Sequence, residues 1–161
     1  MSRAHVHLAF YRGGEHGRLL DRLVARHDPG PHSHVELVFD ERPRLGTSVC
    51  FSSSWRDGGV RFKRIQLGGD RANRWDLVPV RLGPRQVDRL RRWCVNKVGG
   101  QYDLPGVLAF KWACVRHRLN WWFCSEIMIA ALQRVGLLEG LVPERFTPNG
   151  LFHHVTKEIA R

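Results

Sequence analysis

The chain has 161 residues, 43% of them hydrophobic and 25% charged. That is enough apolar material for one folded globular domain over residues 1–161, and it excludes a disordered tail. The formal net charge is +11, carried almost wholly by arginine because lysine occurs only at positions 63, 97, 111 and 157; such a field draws polyanions without selecting one.

In chain order, HVHLAFY at 5–11 alternates loosely and predicts a first strand that Gly13-Gly14 breaks. Leu19, Leu20, Leu23 and Val24 have helical spacing within 17–27, and Asp28-Pro29-Gly30-Pro31 ends that helix. SHVELVFD at 33–40 predicts a strand with Val35, Leu37 and Phe39 on one face and His34, Glu36 and Val38 on the other. Further strands are expected over 47–54, 60–67 and 75–82, the last at a sheet edge because Pro79 cannot donate to a ladder. Pro84 opens a helix reaching about Val98, with Val87, Leu90, Cys94 and Val98 on one stripe. A short helix is expected near 107–115, then one from Cys124 to about Val135 capped by Gly136, and a last one opened by Thr147-Pro148. Strands followed by helices predict an α+β fold with an antiparallel sheet packed against helices. No apolar run approaches about 18 residues, so no transmembrane segment is expected. The N-terminus lacks the apolar core and cleavage site of a secretory signal, which suits a cytoplasmic protein.

Cys50, Cys94, Cys114 and Cys124 form no C-x-x-C pair and no zinc-ligand spacing. Their apolar neighbours suit buried thiols in a reducing compartment. His5 with His7 and His32 with His34 place imidazoles on common strand faces, and His153-His154 adds two more, but no structural metal set results. The expectation is therefore no metal and no cofactor.

WWFCSEIMIAAL at 121–132 sets a thiol at the first turn of an apolar helix. Unpaired backbone N–H groups and the helix dipole favour a thiolate there, and the same groups can stabilise an oxyanion. A nucleophilic thiol needs a base, and the base needs an orienting partner. His34, at a strand start, is the preferred base over its neighbours His27 and His32. Glu36, two positions on, shares its face and can orient the ring. Ser52, Ser53 and Ser54 on the next strand are alternative partners, and Tyr102 is a candidate oxyanion donor.

Taken together, SHVELVF, CFSSSWRDGGVRFKRI, WDLVPVRL, VGGQYDLPGVLAF, WFCSEIMIAALQRVGLL and TPNGL, in that order, resemble the circularly permuted papain-like cysteine hydrolases, the YiiX-like relatives of the NlpC cell-wall peptidases. The similarity covers about residues 5–152. The resemblance implies a permuted papain-like domain with Cys124 as nucleophile, His34 as base and Tyr102 bordering the nucleophile. It also implies an acid on the strand after the histidine; here that strand reads VCFSSSW, so the acid is missing, Ser52 or Ser53 falls nearest its place, and Glu36 is the preferred substitute. A bacterial or phage-associated protein is implied as well.

The expected function is a cysteine hydrolase acting through an acyl-enzyme on a peptide, a peptidoglycan-type amide or a lipid ester. The alternative is a papain-like shell that binds a polyanion with little or no turnover, which the charge and the missing acid favour.

Overall fold

A computed structural model gives the structure of the protein and describes residues 4–13, 30–103 and 120–158. The helices expected over 17–27 and 107–115, together with His27 and Cys114, lie outside these residues.

Five strands form one antiparallel sheet: β1 (Ala4–Tyr11), β2 (His34–Val38), β3 (Thr47–Ser54), β4 (Gly59–Gln66) and β5 (Trp75–Leu82), in the order β4-β3-β2-β1-β5. The histidine strand β2 is therefore central. Strand β5 pairs with β1 and forms an edge, as Pro79 requires; Pro79 stands opposite His7. Among the described residues three helices follow: α1 (Pro84–Lys97), α2 (Cys124–Gln133) and α3 (Pro148–Glu158). The architecture is thus α+β. Val98 falls beyond the end of α1 and is half exposed, so the buried stripe of that helix consists of Leu90 and Cys94.

Period-two alternation decides which face each strand residue takes. Val6, Leu8 and Phe10 of β1, Val35 and Leu37 of β2, and Phe51 of β3 join the helices in the main core. Ala9, Val38 and Cys50 point the other way and join Leu67 and Trp75 in a smaller cluster. Helix α2 lies innermost: every residue except Ala130 and Gln133 is buried, and it packs on β2 and β3. A helix covered on all sides has no polar stripe, which is why IMIAAL runs on without a charge.

Two features position the start of α2. A two-residue parallel pair, β6 (Gln101–Tyr102) and β7 (Trp121–Trp122), sets Tyr102 beside Trp122, two residues before the cysteine. This pair is docked to β4 through backbone bonds from Val60 N–H to the Gly100 carbonyl (2.8 Å) and from Gly99 N–H to the Val60 carbonyl (3.0 Å). Gly59, at φ +137°, makes that approach possible, since a Cβ there would collide with the Gly100 oxygen. The Ser53 hydroxyl adds a 2.7 Å bond to the Trp122 carbonyl from the central sheet.

Candidate active site

The C-S-E run has a local explanation residue by residue. Cys124 is the first residue of α2, after Phe123 at the N-cap. The Glu126 carboxylate, buried three residues into the turn, accepts the Phe123 backbone N–H at 3.1 Å, the reciprocal half of a capping box. The Ser125 hydroxyl donates to the Phe146 carbonyl and ties the helix start to the segment before α3. The amides of Cys124 and Ser125 sit in the first turn, where no intrahelical carbonyl can receive them.

His34 opens β2 and meets Cys124. The imidazole couples electrostatically to Cys124, and its Nε2 lies 2.7 Å from Glu36 Oε1. The ring is 19% exposed, whereas Glu36 is 1% exposed and Cys124 is fully buried. Burial alone would pull the His34 pKa down. The negative charge and hydrogen bond of Cys124, and then those of Glu36, reverse that and push it up to about 10.

A buried carboxylate must be paired. The guanidinium of Arg61 on β4 closes a fork on Glu36, with distances of 2.8 Å to Oε2 and 2.6 Å to Oε1. Its Nε donates to Asp57 at 2.8 Å, and Asp57 also takes Lys63 at 2.6 Å. Burial pushes the Glu36 carboxyl up, but the bonds from His34 and Arg61 outweigh it and hold the pKa below the usual carboxylate range. The result is a line of groups, Cys124–His34–Glu36–Arg61, with alternating capacity for charge.

Ser52 does not orient the histidine, contrary to the alternative left open by the sequence. Its hydroxyl donates to the Val35 carbonyl at 2.7 Å, with a weaker contact to the Ser53 carbonyl. Ser52 instead provides space. It stands opposite Arg61 in the β3–β4 register, and the β2–β3 register (Leu37 opposite Phe51, Val38 opposite Cys50), carried one pair further, sets it opposite Glu36. A small side chain on the intervening strand lets the guanidinium cross β3 to the carboxylate. The carboxylate that meets the imidazole thus comes from the histidine strand itself.

Arg61 was not visible as a site residue from composition or motif, although the hairpin register contains the signal. Tyr102 packs edge-on to Phe123 and Trp55, with ring centroids 6.0 and 6.4 Å away, and lines the same groove as His34 and Glu36. Ser53 is spent on the Trp122 carbonyl, and Ser54 lines the groove. His32 lies elsewhere, between Asn149 Oδ1 at 3.1 Å and Asp76 Oδ2 at 2.7 Å. His7 meets the Asp40 carbonyl and His154 pairs with Glu158. Among the described residues no three His, Cys, Asp or Glu side chains group to hold a metal ion, and no helix is long and apolar enough to cross a membrane.

Cys50, Cys94 and Cys124 are all free and buried. Burial pushes Cys50 and Cys94 far above the usual thiol range, and among the described residues no imidazole acts to reverse it. No model of a known protein family matches the chain, and no curated protein matches it.

Proposed function

We propose that the protein is a papain-like cysteine hydrolase that cleaves an amide or ester bond through Cys124, His34 and Glu36. The observation that carries this reading is the imidazole that couples to Cys124 and bonds the buried Glu36 carboxylate, with Arg61 forked on that carboxylate. A buried thiol kept for packing alone has no use for a three-residue polar relay.

With the proton on His34, the sulfur is the nucleophile. It attacks the substrate carbonyl carbon and forms a C–S bond, and the carbonyl electrons move onto oxygen. The amides of Cys124 and Ser125, in the first turn of α2, can donate to that oxyanion, and Tyr102, which lines the groove with His34, is the candidate side-chain donor. The tetrahedral adduct collapses as His34 gives its proton to the leaving amine or alcohol, which breaks the C–N or C–O bond. Water then attacks the thioester, His34 takes its proton, and the acid product leaves as the C–S bond breaks. Glu36 holds the ring orientation throughout and stabilises the imidazolium. Arg61 keeps Glu36 ionised and immobile. Cys124 has no exposed surface and His34 lines the groove, so the approach of the carbonyl is from the His34 end.

The test is selective alkylation. Iodoacetamide at neutral pH labels Cys124 at least about tenfold faster than Cys50 or Cys94, as mapped by mass spectrometry. Equal rates for the three thiols overturn the proposal. A burst of nitrophenolate from an activated ester, lost in Cys124→Ala, is the corresponding activity readout.

A further inference from the structure

The face of the sheet opposite the helices carries a groove of about 520 Å³ that begins at His34 and Tyr102 and runs over β4 to Arg71 and Arg74. This is the size of a small-molecule site. Six cations line it (Arg56, Arg61, Lys63, Arg64, Arg71 and Arg74) against two carboxylates, Glu36 and Asp57. Both carboxylates are already spent on Arg61 and Lys63. Among the described residues, Arg64, Arg71 and Arg74 have no carboxylate partner.

Arg71 and Arg74 make the strongest case. Both lie on the 3₁₀ turn Gly69–Arg74, where side chains three apart eclipse, so two like charges stand one above the other. Like charges at that spacing repel. Both face the same concave surface, and the exposed tryptophan Trp55 lies at the His34 end. Planar guanidiniums with no internal acceptor, converging on a ligand-sized groove, match a multiply charged oxyanion.

We propose that this groove binds a phosphate-type anionic group of the substrate, seated on Arg71 and Arg74, with the scissile acyl group at the His34 end. This assignment of substrate class rests on the hydrolase reading for the acyl half, while the anion site stands on its own geometry.

The experiment titrates pyrophosphate into Cys124→Ala protein by calorimetry, so binding is measured without thiol chemistry. Saturable one-site binding is expected, weakened at least about tenfold in Arg71→Gln/Arg74→Gln and reduced as salt rises. Arg89→Gln/Arg92→Gln, on the exposed face of α1, removes the same net charge outside the groove and leaves the affinity within about twofold. Equal weakening by the two double variants overturns the proposal, because the attraction is then the general field of a basic protein. Vesicles of phosphatidylglycerol are titrated in parallel. Binding that needs Arg71 and Arg74 on vesicles but not with pyrophosphate assigns the phosphate to a lipid headgroup, and saturation by pyrophosphate assigns it to a soluble group. Binding of neither overturns the proposal. Pyrophosphate binding in a protein whose Cys124 fails the alkylation test removes the hydrolase and keeps the anion site.

Discussion

Replacing Glu36 by glutamine tests the relay at its centre. The carboxylate is 1% exposed and accepts three bonds, one from His34 and two from Arg61, all between 2.6 and 2.8 Å. The amide offers one oxygen to those three donors and turns an NH2 toward one of them. Breaking a buried ion pair by removing one partner costs roughly 3–5 kcal/mol. Arg61 and His34 keep some contact with water, at 15% and 19% exposure, and Arg61 keeps Asp57, so the lower end applies, about 3 kcal/mol. For a chain of this length that lowers Tm by roughly 6–12 °C. Thermal unfolding followed by circular dichroism measures it, and single-turnover acylation should fall by about 10²-fold or more in the same protein. The pH dependence changes as well. Because the Glu36 pKa is lowered in the fold, its contribution is present above the ordinary carboxylate range and lost as pH falls through the lowered value; Glu36→Gln lacks that acid limb. A variant that melts like the wild type and acylates at the wild-type rate refutes the relay.

Other outcomes follow from the same geometry. His34, with its pKa raised to about 10, contributes stability that is fully present below the ordinary histidine value and lost as pH rises through about 10. In Cys124→Ala the larger of its two raising partners is gone, so ring NMR shifts should titrate at lower pH; an unchanged midpoint would separate the imidazole from the sulfur. Tyr102→Phe should slow acylation by about tenfold or more if the phenol helps hold the oxyanion, with little loss of stability, and an unaltered rate assigns Tyr102 to packing alone. Ser52→Ala should cost about 1 kcal/mol for its bond to Val35 and leave acylation within about twofold. Ser52→Leu should instead block the guanidinium and reproduce the Glu36→Gln defects. A rate loss in Ser52→Ala as large as that in Ser52→Leu would return the orienting role to the hydroxyl.

The strands were the most legible part of the fold. Thr47–Ser54 and Trp75–Leu82 lie where alternation and turn residues set them, and the one-sided pattern of β2 placed His34 and Glu36 on one face. The thiol at the head of α2 was legible for a similar reason: an apolar run with an abrupt polar start has few other meanings. The β6–β7 pair was hidden because two residues carry no period, and a parallel partner across an intervening segment leaves no turn signal. Arg61 was hidden because its partner lies two strands away, and long-range pairing shows only once both registers are known. Ser52 offers a hydroxyl near a histidine, but that hydroxyl bonds the Val35 carbonyl and its register sets it between Glu36 and Arg61. Residue type indicates which bonds a side chain can make, but register decides which neighbours it has.

Gly59 and Gly100 sit remote from the reacting groups along the chain, yet their backbones are the joint between the strands that hold the imidazole and the ribbon that delivers the sulfur. A methyl at position 59 would act as a shim in that joint. The Gly59→Ala chain would keep the His34 imidazole with its Glu36 carboxylate on β2 while displacing the ribbon that leads to Cys124. The separation of those two halves is what a spectroscopic ruler would read.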